Sequence, residues 1–220
     1  MTNTQPQENL AKKNPGRRFL IPRLLLVVAL VGLVLFVLFV HPFLAIDRPV
    51  KADTLVIEGW VPEYIVAKAA HEFQSGTYRK IFISGLIFEK NDPHFADKSD
   101  AVIITRFLQA NGIGAATIED CAVAVPAFNR TSHMARGVRD KMKALNYAPN
   151  GVNVVTLGPH ARQTLVAYER MLGPLSPVGV ISYPKNDYDP SRWWASTAGI
   201  KKTTKDFAGW LKEVLFGLRS

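Results

Sequence analysis

The chain has 220 residues, enough for one α/β domain with a full core and one appendage. Its formal net charge is +9, of which residues 1–50 carry +4, and the mildly basic remainder has no long Lys/Arg run, which argues against a nucleic-acid partner. Cys121 is the only cysteine, which excludes an intramolecular disulfide and a zinc site built from cysteines.

The first 50 residues divide into a polar tail and an apolar run. Residues 1–18 are rich in Asn, Gln, Lys and Pro and predict a disordered cytoplasmic tail. The run from Leu24 to Ile46 carries no formal charge and is long enough to cross a bilayer as a helix. It is longer than the apolar region of a secretory signal, so we interpret residues 19–46 as an uncleaved transmembrane anchor. The basic residues are concentrated before the run, which places the N-terminus in the cytoplasm and the following domain outside it.

From residue 51 to the end, apolar strands alternate with helical patterns. Strands are predicted at 53–57, 80–85, 117–125 (the weakest), 152–157 and 178–182. Helices are predicted after Pro62, at about 98–111, after Ser132, after Pro159 and at about 191–218, with a loop over 86–98 that is long enough to cover a site. Such alternation predicts an α/β domain over residues 51–220, with a mostly parallel sheet of about five strands covered on both faces by helices.

The segment 152–164 is the clearest strand–turn–helix unit. An apolar β-branched run ends at Gly158-Pro159, and His160 and Arg162 follow at the start of the helix. In open α/β sheets ligands bind beyond the carboxyl ends of the strands, and a helix N-terminus favours an anion there. The alternative is that Arg162 is a solvated charge and His160 an ordinary turn residue.

Two further turns repeat this pattern of polar residues after a strand. Glu58-Gly59-Trp60 follows the first strand and Asn129-Arg130-Thr131 follows the third. Parallel strands would bring these turns and His160 to one edge of the sheet, in one cleft. Each residue also has a purely structural interpretation: Glu58 as a surface acid, and Thr131 or Ser132 as a helix cap. The pair Trp193-Trp194 is interpreted as packing of the last helix or as contact with a membrane surface.

Several short motifs, in order, resemble one bacterial family. They are Thr54–Gly59, Arg130-Thr131, the run Thr156-Leu157-Gly158-Pro159-His160-Ala161-Arg162, and Asp187-Tyr188-Asp189-Pro190-Ser191-Arg192-Trp193-Trp194. Over residues 52–218 the chain resembles the SanA/ElyC/YdcF-like family, the bacterial domain of unknown function 218. Many members have a glycine cluster where this chain has Glu58-Gly59-Trp60, and a second arginine where it has Gln163.

The resemblance implies a Rossmann-like three-layer domain behind one membrane helix in the bacterial inner membrane, with the domain in the periplasm. It also implies a role in cell-envelope integrity, in peptidoglycan or lipid-carrier metabolism. It names no cofactor, and neither the reaction nor the protein partners follow from it.

Two functions are open at this point. In the first, the domain binds or processes a phosphorylated or nucleotide-like small molecule, such as a polyprenyl-phosphate lipid carrier. Arg130 and Arg162 would hold the anion with Thr131 and helix N–H groups, while Glu58 or His160 would act as general base or acid. Gly59, Ser84 and Asn129 complete the expected ligand-binding set, and no metal site is expected. In the second, the domain is a non-catalytic envelope factor that binds protein partners.

The chain lacks the motifs of the best-characterised reaction classes. It has no zinc motif, no phosphate-binding P-loop and no Gly-x-Ser-x-Gly elbow. The sequence therefore predicts where a site lies more closely than what the site does.

Overall fold

The computed structural model describes residues 16–87 and 100–217, and side chains from residue 21 onward except that of residue 100. The chain divides into two compact units, Met1–Phe39 and Val40–Ser220. The predicted tail over 1–18 lies almost wholly outside the described residues, as does most of the predicted loop over 86–98.

The N-terminal helix α1 spans Gly16–Leu44. Its segment Ile21–Leu44 has a mean hydropathy of 3.1 and is the one helix within the described residues that is long and apolar enough to cross a membrane. The predicted apolar helix is therefore confirmed. Its last turn belongs to the second unit, where Val40, His41 and Leu44 are buried.

The second unit is built on a parallel sheet, which confirms the predicted fold class. The strands are β1 Thr54–Glu58, β2 Lys80–Ser84, β3 Leu86–Ile87, β4 Ile118–Asp120, β5 Val123–Ala124, β6 Val152–Leu157 and β7 Val178–Tyr183. Five of them form the main sheet in the order β4-β2-β1-β6-β7, with all pairs parallel, and β3 pairs with β5 in a separate two-stranded sheet.

Helices cover both faces of the main sheet. They are α2 Glu63–Ser75, α3 Asp100–Ala110, α4 Arg130–Ala144, α5 Ala161–Leu172 and α6 Thr197–Phe216. Successive strand residues point to opposite faces, so Leu55 and Ile57 of β1 pack in a core with α2 and α3. Val56, between them, packs in the other core with α4 and α5. Two separate cores on one sheet give the three layers that the alternating pattern predicts.

Three local predictions differ from the structure. The predicted strand over 117–125 is split into β4 and β5, although Cys121 N–H still donates to the Ile83 carbonyl and Val123 N–H to the Gly85 carbonyl. The closing helix predicted from 191 to 218 begins at Thr197, after a 3₁₀ segment Pro190–Ala195 and a Ser196 side chain that accepts a hydrogen bond from Gly199 N–H. Thr131 and Ser132 do not cap α4, since both are buried within its first turn and Asn129 precedes it.

Candidate functional site

A cleft of about 610 Å³ lies at the carboxyl edge of the main sheet. The chain order explains its position: β2 and β4 lie on one side of β1, while β6 and β7 lie on the other. The crevice between β1 and β6 is therefore the point at which the winding direction changes, where open α/β sheets bind ligands. The turn after β1 contributes Trp60 and the turn after β6 contributes His160, while the start of α4 and one face of α6 complete the walls.

His160 is held by an acidic side chain that comes from α6. Its Nδ1 lies 3.3 Å from Oδ1 of Asp206, and its ring meets the Trp60 ring edge to face with centroids 4.9 Å apart. On the other side of this carboxylate, Lys202 Nζ lies 2.8 Å from Oδ2. Burial alone would raise the pKa of Asp206, but the hydrogen bond from His160 and the charge of Lys202 outweigh it and lower that pKa. Asp206 is therefore a carboxylate that orients the His160 ring.

Glu58 ends β1 and is completely buried. Thr156 Oγ1 and Thr164 Oγ1 both donate to its Oε2, while Oε1 has no hydrogen-bond partner among the described residues. Burial raises the pKa of Glu58, and the nearby His160 and the two threonine hydrogen bonds offset only part of that rise. The alternative interpretation of Glu58 as a surface acid is wrong, because the side chain lies in the core.

A second buried carboxylate, Glu213, joins α6 to α4 and α5. Ser132 Oγ donates to Oε1 of Glu213, and Arg170 Nη1 lies 3.5 Å from the same oxygen and donates to the Glu213 backbone carbonyl at 2.9 Å. Burial raises the pKa of Glu213, and the Ser132 hydrogen bond and the Arg170 charge offset only part of that rise. Gln163 Nε2 donates to Thr131 Oγ1 at 3.2 Å and ties α5 to α4 nearby. These bonds fix the three helices around the cleft.

The cleft also holds three cationic side chains, of which Lys212 lies close enough to Glu213 for its charge to act on that carboxyl group. Arg130, Lys205 and Lys212 line it, and none of the three forms a salt bridge within the part of the chain that the structure describes. Arg130 is the first residue of α4, after Asn129 in a left-handed conformation with φ 54°, so the free N–H groups of that helix end lie beside it. Positive charge and helix N–H groups together favour an anionic ligand.

The structure brings four of the predicted site residues to the cleft: Asn129, Arg130, Thr131 and His160. Glu58 lies in the core close enough to His160 for the two charges to interact. The other three predicted residues have different roles. Gly59 N–H donates to the Ser84 carbonyl, and Ser84 Oγ accepts a hydrogen bond from Tyr168 within the core.

Arg162 is not brought to the cleft. Its Nε donates to the Phe43 carbonyl, and its guanidinium carbon lies 3.9 Å from the centroid of the Phe43 ring. Helical geometry explains the difference: Thr164, two residues further on, faces Glu58, and residues two apart on a helix point in different directions. Arg130 and Arg162 therefore do not form a clamp around one ligand in this structure.

Phe128 and Gln163 line the cleft without having been predicted, and the charged residues that sequence reasoning missed all lie on α6. They are Lys202, Lys205, Asp206, Lys212 and Glu213. No site residue is predicted on this helix from the sequence, only its approximate bounds. The available signal was the spacing of Lys202, Asp206 and Glu213 at i, i+4 and i+11, which places the three on one helical face.

Nothing in the described part of the chain forms a group of three or more His, Cys, Asp or Glu side chains that could hold a metal ion. The chain matches no protein-family model and no curated protein.

Proposed function

We propose that this chain is a single-pass membrane protein whose α/β domain binds or processes a phosphorylated or nucleotide-like small molecule at the cleft. We further propose that it is a member of the SanA/ElyC/YdcF-like family, with its domain on the periplasmic side of the bacterial inner membrane and a role in peptidoglycan or lipid-carrier metabolism. The family and the process rest on the motifs in the sequence, while the type of ligand rests on the cleft.

The observation that carries the ligand class is the combination of charge and position at the cleft. Arg130 stands at the N-terminus of α4, and Lys205 and Lys212 of α6 line the same cleft, beyond the carboxyl ends of β1 and β6. Phosphate oxygens match guanidinium, ammonium and backbone N–H donors of this kind. Trp60 and Phe128 add aromatic surface to the same walls, suited to the ring of a nucleoside or to an apolar chain.

The Asp206–His160 pair is the group best placed to move a proton. A carboxylate on Nδ1 fixes the orientation of the ring, which leaves Nε2 to exchange a proton with a bound ligand. Among the described residues no protein group hydrogen-bonds to that Nε2. Glu58 acts through its charge on His160 rather than by touching the ligand, because its side chain is wholly buried.

Ligand binding is tested by thermal melts of the full chain in detergent, with a nucleoside diphosphate and a polyprenyl phosphate as probes. At least one probe should raise Tm, because a ligand that binds only the folded state stabilises it. Arg130→Ala should weaken that ligand about 10- to 100-fold, the loss expected for one charge-assisted hydrogen bond. The matched control is Lys143→Ala, an exposed lysine at the far end of the same helix, which should leave binding unchanged.

His160→Asn separates binding from chemistry. It should keep the ligand-induced rise in Tm but lose any turnover of the probe, because it removes the proton carrier and not the cations. If neither probe shifts the Tm of the unmodified chain, the ligand proposal is wrong and the non-catalytic factor becomes the better account. If Arg130→Ala and Lys143→Ala behave alike, the cleft is not the binding site.

A further inference from the structure

Helix α6 buries three polar residues and exposes a set of apolar ones. Thr203, Asp206 and Glu213 face the protein and are buried to 3 % exposure or less. The outer face carries Ile200, Leu211, Val214 and Leu215, with 41 to 60 % of each residue exposed. Positions 200, 211, 214 and 215 fall on one side of a 3.6-residue helix, so these side chains form a continuous stripe, which we call the α6 outer face.

A water-soluble domain normally turns such a face inward. An amphipathic helix that exposes its apolar stripe marks a surface that something apolar covers. The inner polar face has its own partners in His160, Ser132 and Arg170, so the helix cannot rotate to bury the stripe without breaking those bonds. The α6 outer face is therefore a fixed feature of the fold.

The end of the membrane-spanning segment lies in direct contact with this helix. Phe43 is the second-last residue of Ile21–Leu44, and its ring meets that of Trp210 on α6 edge to face, with centroids 4.9 Å apart. Phe207, one turn earlier on α6, packs against the same Trp210 ring at 5.7 Å. Tryptophan is enriched where a protein passes from lipid to water. Trp210 thus connects α6 to the point at which the chain leaves the bilayer.

Basic residues flank the stripe along one side. Lys201, Lys205 and Lys212 are exposed and fall between the outer and inner faces of α6; Lys205 and Lys212 also line the cleft, whereas Lys201 does not. An apolar stripe bordered by lysines is the pattern of helices that lie in the plane of an anionic membrane surface.

We propose that the α6 outer face lies on the surface of the same bilayer that holds α1, with its apolar side chains at the acyl boundary and Lys201 on anionic headgroups. This inference rests on the membrane anchor of the proposed function. A lipid surface fits better than a second copy of the chain, because the aromatic contact at Trp210 already brings α6 to the end of the membrane segment.

The test uses the full chain in nanodiscs of phosphatidylglycerol and phosphatidylcholine, with an environment-sensitive fluorophore on one introduced cysteine. The unmodified chain is the labelling blank, because its single cysteine, Cys121, is buried. A probe at Leu215→Cys should be quenched by about half or more when lipids carry a nitroxide on the acyl chain near the headgroup. Lys143→Cys, an exposed position on α4, should be quenched far less.

A probe at Leu30→Cys, near the middle of the apolar segment of α1, tells the two proposals apart when a second set of lipids carries the nitroxide deep in the acyl chain. Quenching at position 30 but not at position 215 leaves the anchor intact and overturns the placement of α6. No quenching at either position overturns both. A blue-shifted emission at position 215 without quenching by the lipids would mean that protein, and not lipid, shields the stripe from water. That result would also overturn the proposal.

Discussion

Among single residues, Glu58 has the clearest consequence for stability. Its carboxyl group is fully buried, one oxygen has no partner among the described residues, and burial raises its pKa above the ordinary value of 4.5. The folded state therefore holds this proton more tightly than the unfolded state. The Glu58 contribution to the free energy of unfolding is fully present below pH 4.5 and is lost as pH rises through the folded-state pKa.

Glu58→Gln should remove this pH-dependent loss. The amide oxygen still accepts from Thr156 and Thr164, but no charge is buried at high pH. We expect the variant to melt several degrees higher than the unmodified chain at pH 8, with a difference that shrinks toward pH 4, at about 2–4 °C per kcal/mol for a chain of this size. Glu63→Gln, an exposed acid at the start of α2, is the control and should change little. A gain for Glu58→Gln that is equal at all pH values would contradict this account.

At the scale of elements, α6 is held by bonds to its buried carboxylates as well as by the aromatic contact of Trp210 with Phe43. The Ser132 hydroxyl donates a hydrogen bond to the Glu213 carboxyl group, and the Arg170 guanidinium lies beside the same oxygen. A buried charge that lacks some of its hydrogen-bond partners lowers the stability of the folded state. The packing of α6 therefore depends on each of these donors.

Ser132→Ala should destabilise the protein by about 1–3 kcal/mol, because it removes a donor from a buried carboxylate that water cannot reach. Thermal melts of the full chain measure this as a drop of several degrees. Thr204→Ala is the matched control on α6 itself: its hydroxyl is exposed and bonds only to backbone carbonyls of its own helix, so we expect a change within about 0.5 kcal/mol. Equal melting of both variants would show that the Ser132–Glu213 bond contributes nothing.

The elements also show what a sequence can predict. The runs 152–157 and 53–57 are apolar and β-branched because both faces of a central parallel strand are covered, so strands and fold class follow from composition. His160 and Arg130 reach the cleft because turns after parallel strands share one edge. Asp206 and Glu213 could not be assigned in this way, because their role depends on which face of α6 turns inward. The prediction for Arg162 is wrong for a related reason. The residue does lie on the first turn of α5, but its side chain bonds to Phe43 and does not reach the cleft.

At the scale of the whole molecule, the boundary between the units does not coincide with the end of the apolar run. Leu44 is fully buried in the α/β unit, and Val40 is 5 % exposed. Asp47 Oδ1 accepts a hydrogen bond from Ser182 N–H, and Arg48 forms an antiparallel bridge with Val180. The residues that follow the apolar run are thus part of the fold.

This boundary predicts how truncated proteins behave. A fragment of residues 40–220 should melt cooperatively, because it keeps both cores intact. A fragment of residues 51–220 should be less stable by at least about 2 kcal/mol, because it lacks Leu44 and the bridge at Arg48. Circular dichroism melts in mild detergent compare the two, with Leu44→Ala in the longer fragment as a check on the contribution of that side chain. Equal melting temperatures for the two fragments would place the boundary of the domain after residue 50.

The same contacts bear on the order of events during biosynthesis. Residues made early in the domain touch residues made late: Arg48 bonds to β7, His41 to Tyr188, and Phe43 to Trp210 on α6. Loops that join such distant parts of a chain close slowly and only after both ends exist. A nascent chain that lacks α6 cannot form the Asp206 or Glu213 bonds that surround the cleft. The domain therefore reaches its native packing, and a complete binding site, only after its last helix has been synthesised.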